Sequence, residues 1–160
     1  MRAADPGVAR GRATNCMSGS RTFVDTNVFV YAIDDAEPAK RAIAERVLAS
    51  EEYGELVLSA QILGEFYVTV TRKLDGRISA VEALQGLNRL CLYPIVSIDA
   101  PLVRNAVEIS RSSQISYWDG LVVAAAARAG CGLLLTEDLN DGQVIGSVRV
   151  ENPFGRGAAG

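Results

Sequence analysis

The chain has 160 residues, 49% of them hydrophobic and 22% charged, a net charge of −3, and no histidine. This is one domain's worth of ordinary globular composition, with no apolar run near the roughly 18 residues that span a bilayer, and a charge balance that gives no strong global attraction to nucleic acid. Without histidine, Ser-His-Asp and Cys-His nucleophiles, paired-histidine ribonuclease chemistry and imidazole zinc sites are all excluded, which leaves carboxylates, hydroxyls, amides, Arg, Lys or metal.

Residues 1–20 are rich in Arg, Gly, Ala and Ser and have no apolar stretch of signal-peptide length, so they are expected to be disordered. Met17 is a second possible start, and translation is expected to begin there; a native intact mass corresponding to residue 1 or 2 would refute this. Arg21 to Val24 reads as a strand, Asp25-Thr26-Asn27 as a turn, and Val28 to Ile33 as a short helix. Pro38 to Ser50 carries Ala39, Ala42, Ile43, Val47 and Leu48 at helical spacing. Leu56-Val57-Leu58 is a second strand, and Ser59 is the expected N-cap of a helix from Ala60 to about Leu74, broken by Asp75-Gly76.

Ser79-Ala80-Val81-Glu82 is a capping box opening a helix to about Leu90. The apolar faces around 39–48 and 81–90 suit either a dimer contact or the core. Pro94 to Ile98 is a third strand, Asp99 caps a helix to about Ser112, and Tyr117 to Ala129 is a small-residue helix stopped by Gly130. Gly132 to Thr136 is a fourth strand, Ser147 to Val150 a short fifth one, and residues 155–160 a flexible tail. Aliphatic strands interleaved with helices predict one α/β domain over 21–154: a central parallel sheet of four to five strands flanked by helices in three layers. Cys16, Cys91 and Cys131 are far apart and form no C-x-x-C pair; two buried thiols and one in a tail are expected in a reducing cytosol.

Four acids stand beside core-forming runs: Asp25 after Thr22-Phe23-Val24, Glu65 inside Ala60 to Val70, Asp119 after Tyr117-Trp118, and Asp138 past Leu133-Leu134-Leu135-Thr136. Buried carboxylates are rare unless paired or holding a metal. Each has an ordinary reading. Asp25 suits a helix cap, Glu65 a salt bridge to Arg72 or another Arg, Asp119 a helix-dipole partner, and Asp138 a turn residue. Together they suggest one acidic cluster beyond the carboxyl ends of parallel strands, where such sheets bind ligands. Glu137 and Asp141 flank the fourth position; either one of them faces the site or, the favoured reading, both are mostly solvated. Arg72, Lys73 and Arg77 are either an RNA-backbone contact or a solvated helix end. Tyr117 and Trp118 suit base stacking, with core packing the favoured reading.

The stretch Phe23-Val24-Asp25-Thr26-Asn27-Val28-Phe29 resembles the opening motif of PIN-domain nucleases. Glu65 in Ser59 to Phe66, Asp119 in Ser116 to Leu121, and Asp138 in Leu134 to Leu139 resemble their second, third and fourth acidic positions. The match spans about 21–154 and is similar above all to VapC-type toxins of bacterial toxin–antitoxin pairs. It implies a cytoplasmic homodimer, an RNA substrate, a Mg²⁺-dependent endoribonuclease activity in which Mn²⁺ can substitute, and a small antitoxin that blocks the acidic site. Similar chains often carry His where this one has Asp141. On this resemblance Asp25, Glu65, Asp119 and Asp138 are the catalytic metal ligands, with Asn27 and Thr136 in support. Hydrolysis without histidine and without the 2′-OH would leave a 5′-phosphate and a 3′-hydroxyl.

Three other readings compete. An aspartyl phosphotransferase would need an acid at position 27, where Asn27 stands. A phospho-receiver domain would need a later Lys, and none follows Lys73. A non-catalytic PIN-like RNA-binding scaffold would be expected to have lost acids that this chain keeps.

Overall fold

The structure is a computed structural model that describes residues 19–72 and 78–155. The readings for the N-terminal extension up to residue 18, for Cys16, Met17, Lys73, Arg77 and the Asp75-Gly76 break, and for the tail beyond 155 lie outside the described residues. The elements are β1 (Arg21–Val24), α1 (Thr26–Tyr31), α2 (Pro38–Ala49), β2 (Glu55–Ser59), α3 (Ala60–Arg72), α4 (Ala80–Leu90), β3 (Ile95–Val96), α5 (Ala100–Ser113), α6 (Tyr117–Arg128), β4 (Leu133–Leu135), β5 (Val144–Ile145) and β6 (Val148–Glu151).

The strands form one sheet in the order β3-β2-β1-β4-β6-β5. All neighbours are parallel except β5 with β6. The central strand β1 sets Phe23 opposite Val57 of β2 and Leu134 of β4, and all three side chains are buried. Runs that are apolar on both faces suit a sheet covered by helices on both sides. The sixth strand, β5, is the one the sequence did not reveal. Gly146, at φ 60°, allows the tight turn that folds Val144–Ile145 back on Val148–Arg149. Two residues are too few to show a period of two.

Connections and twist place the helices. The steps β1 to β2 and β2 to β3 move in one direction across the sheet, and β3 to β4 moves back past β1. Right-handed crossovers therefore put α1–α4 on one face and α5–α6 on the other. α1 packs on α2 and α3, α3 packs on α4, and α6 lies over β2, β4 and β6 with α5 against it.

Capping confirms several helix starts and corrects one. Ser79 and Glu82 form the reciprocal capping box, Asp99 accepts from the Leu102 amide, and Ser116 accepts from the Asp119 amide. Ser59, expected to cap α3, is instead the buried last residue of β2, and its hydroxyl has no partner among the described residues. The strand runs directly into the helix and draws that side chain inward.

The buried stretch Gly120 to Ala126 explains the small residues of α6. A Cβ at Gly120 would stand 2.6 Å from the Ala106 carbonyl oxygen of α5. Gly120→Ala should therefore push the two helices apart and lower stability by about 1–3 kcal/mol, read as a fall in thermal midpoint. Among the described residues no helix is long and apolar enough to cross a membrane.

Candidate active site

Strands β1 and β4 are neighbours at the point where the chain order reverses, and the crevice beyond their carboxyl ends is where open α/β sheets receive ligands. Asp25 follows β1, and Thr136 and Asp138 follow β4. Asp25 is only 7% exposed. Its backbone N–H donates to the Leu135 carbonyl at 3.0 Å, which fixes its position between the two strands. Its carboxylate accepts from the Thr26 amide at 2.7 Å and from the Thr136 hydroxyl at 2.6 Å. Asp25 is therefore the cap of α1, as its ordinary reading held, and also the floor of the crevice.

Asn27 joins the two strand ends. Its amide nitrogen lies 3.4 Å from Asp25 Oδ2, 3.3 Å from Thr136 Oγ1 and 3.2 Å from Asp138 Oδ2. The Asp138 amide donates to Thr136 Oγ1 at 3.1 Å. Glu65 enters from α3, where it accepts from the Thr26 hydroxyl at 2.9 Å and from the Gln61 amide at 2.8 Å. The salt bridge considered for Glu65 does not form among the described residues. Asp119, in the first turn of α6, accepts from the Ser116 hydroxyl at 2.7 Å. It shares no direct hydrogen bond with the other three, but Gln61 reaches the neighbouring Trp118 carbonyl at 3.4 Å.

The charges sense one another. Burial pushes the Asp25 carboxyl up to about 7, and the Asp138 and Glu65 charges add to that, against hydrogen bonds from Thr136 and Thr26 that pull it down. Asp138 is also raised, first by partial desolvation and then by Glu137, Asp119 and Glu65, while Asn27 opposes the shift. Asp25 and Asp138 are thus joined through Asn27, Glu65 is joined to the residue after Asp25 through Thr26, and Asp119 contributes to the upward shift of Asp138.

Several features could not be seen in the sequence. Glu137 is not solvated: it accepts from the Tyr31 hydroxyl at 2.5 Å and from Lys40 Nζ at 2.7 Å, in a half-buried cluster that ties α1 and α2 to the turn carrying Asp138. Asp141 is exposed and accepts from the Asn152 amide at 2.9 Å. Trp118 is 61% exposed rather than packed in the core, with its ring edge-on to the half-buried Tyr117. Cys91 is exposed, and only Cys131 of the expected buried pair is buried. Arg72 is exposed at the end of α3. Of the two residues that hold Glu65, Thr26 stands in the polar turn after Asp25, and Gln61 carried no sequence signal beyond its place four residues before Glu65.

The PIN domain family profile matches residues 22–141, most of the chain and all four acidic positions. The chain belongs to the PIN-domain family. Solved structures agree in fold. A toxin–antitoxin complex from Klebsiella pneumoniae matches with TM-score 0.61 and 18% identity over 83% of this chain and 98% of that one. The sarcin–ricin-loop-cleaving toxin VapC20 of Mycobacterium tuberculosis matches with TM-score 0.57 and 22% identity, covering 71% of this chain and 86% of that one. VapBC2 of Rickettsia felis, bound to a DNA fragment from its promoter, matches with TM-score 0.58 and 16% identity over 82% and 98%. A search of curated proteins finds no match.

The donor set of this PIN crevice suits a hard divalent cation, because every candidate ligand is oxygen. Among the described residues no three acidic or thiol side chains stand in ligand geometry. Thr26, Asn27, Gln61 and Thr136 hold the carboxylate oxygens instead. The amide oxygens of Asn27 and Gln61 are buried without a donor among the described residues, although both side chains belong to this network. Buried acceptors of this kind call for a donor such as an ion's own water. In residue type the site therefore suits a hydrated divalent ion, while the side chains as they stand hold one another.

Proposed function

We propose that this PIN domain is a metal-dependent endoribonuclease, the toxin of a toxin–antitoxin pair. The observation that carries this reading is the hydrogen-bonded cluster of Asp25, Asn27, Thr136 and Asp138 at the reversal point of the sheet, with Glu65 held to it through Thr26. An RNA phosphate brought to this cluster would meet dense negative charge, which suits a site that works with cations. Asp25, Glu65, Asp119 and Asp138 would hold one or two Mg²⁺ ions, directly or through water, with Mn²⁺ able to substitute. The bound ions would supply an activated water, charge stabilisation on the phosphoryl oxygens and help for the leaving oxygen. Asn27 and Thr136 orient the Asp25 and Asp138 carboxylates through the bonds described above.

The solved neighbours support the biological setting, since their names describe a toxin–antitoxin complex and a sarcin–ricin-loop-cleaving toxin. A cytoplasmic homodimer held in check by a small antitoxin is the matching assembly. A PIN-like scaffold that binds RNA without cutting it is the second reading, and the assay below separates the two. Purified protein is mixed with structured RNA in Mg²⁺, in Mn²⁺ and with a chelator. We expect cleavage with either metal, 5′-phosphate ends, and none after chelation. Cleavage that survives chelation would count against the metal role, and a lack of cleavage in both metals would favour the scaffold.

A further inference from the structure

Trp118 is the single tryptophan of the chain and the bulkiest of its exposed apolar side chains, at 61% exposure. Leaving most of an indole in water forgoes the burial that ordinarily places tryptophan in a fold. Isolated exposed apolar residues need no special explanation, so position and rigidity have to carry the argument. Trp118 sits one residue before Asp119, in the first turn of α6. Ser116 fixes that turn by accepting from the Asp119 amide at 3.0 Å. The Tyr117 ring holds the indole edge-on with centroids 5.1 Å apart. The Trp118 carbonyl accepts from Gln61, whose same nitrogen binds Glu65 at 2.8 Å. The residue that carries the exposed ring is thus tied through its backbone carbonyl to the side chain that binds Glu65.

We infer that Trp118 is a stacking platform for an unpaired nucleobase beside the scissile phosphate. The inference rests on the nuclease reading for bringing RNA to Asp119, and it narrows the substrate to RNA with an unstacked base at the cut. A base inside a duplex is already stacked and offers no free face, whereas a splayed base does. Stacking on a neutral ring also suits a protein of net charge −3, because it adds affinity without a basic groove.

The sole tryptophan makes the test direct. Full-length Asp25→Asn protein, expected not to cut, is titrated in Mg²⁺ with a short unstructured RNA and with its duplex, and indole emission is followed. Quenching by the single strand and not by the duplex is the expected result. Trp118→Ala, in the Asp25→Asn protein and followed by fluorescence anisotropy of a labelled RNA, should weaken single-strand binding roughly 10- to 100-fold, and Trp118→Phe should keep most of it. In the otherwise unaltered protein, Trp118→Ala should raise KM about 10-fold or more while kcat stays within about threefold. Unchanged KM and unquenched emission in a protein that still cuts RNA overturn the platform and leave the nuclease reading standing. Quenching by RNA in a protein that never cuts keeps the platform and removes the nuclease. Emission that follows protein concentration instead of RNA overturns it in favour of a contact between two copies.

Discussion

Asp25→Asn is expected to abolish RNA cleavage, by a factor of about 10³ or more, in a protein that remains folded. A loss of that size is about 4 kcal/mol of transition-state stabilisation. The local geometry allows the fold to survive. An asparagine oxygen can still accept from the Thr26 amide, now at 2.7 Å from Oδ1. Its amide would face Thr136 and Asn27, so the hydroxyl loses its carboxylate acceptor and a local rearrangement of these two side chains is required. The Asn27 amide oxygen, which has no donor among the described residues, can accept from the new amide once that side chain turns. What disappears is the charge at the floor of the crevice. Circular dichroism should match the parent, and the single-turnover rate should fall to background. Full activity in this variant, with metal present, would remove Asp25 from the chemistry and with it the proposed mechanism.

The second large effect concerns stability in the absence of metal. The Asp25 carboxyl titrates near 7 in the folded chain against 3.8 when free. Below about pH 4 both states carry the proton, and Asp25 costs nothing. Between pH 4 and 7 the unfolded chain releases its proton while the folded chain keeps it. Unfolding is therefore favoured progressively as pH rises, and the penalty is complete by about pH 8. A shift of this size corresponds to something on the order of 4 kcal/mol. Asp138 is displaced in the same direction and adds to the trend. Glu82 and Asp99 are shifted downward by their caps, so their contribution changes only below about pH 4.5. Chelated protein should accordingly melt at a lower temperature at pH 8 than at pH 5, and Asp25→Asn should flatten the profile. Added Mg²⁺ should raise the midpoint more at pH 8 than at pH 5. Equal pH slopes in parent and variant would show that Asp25 is not the source.

How much of this was readable in the sequence depends on the range of the interaction. Local grammar carried far: the Ser79–Glu82 box, the Asp99 cap and the Gly130 stop act over a few residues, and each was legible. Asp25, Glu65, Asp119 and Asp138 stood out because an acid beside an apolar run breaks a pattern. Their partners did not. Gln61 looks like an ordinary helix residue and Thr26 like part of a turn until α1 and α3 pack together. Lys40 and Glu137 lie 97 positions apart and meet only because α2 packs beside α1 near the turn after β4. The exposure of Trp118 was hidden for a related reason. Helical periodicity says which residues share a face, but the side that α5 and the sheet cover is set by tertiary packing.

The crevice also has a depth. Asp138 lies exposed at its lip, Glu65 and Asp119 are half-covered, and Asp25 is sealed at the bottom. The same four carboxylates therefore differ in how far water screens them: charge at Asp138 is shared with solvent, whereas charge at Asp25 has to be balanced by whatever lies in contact with it.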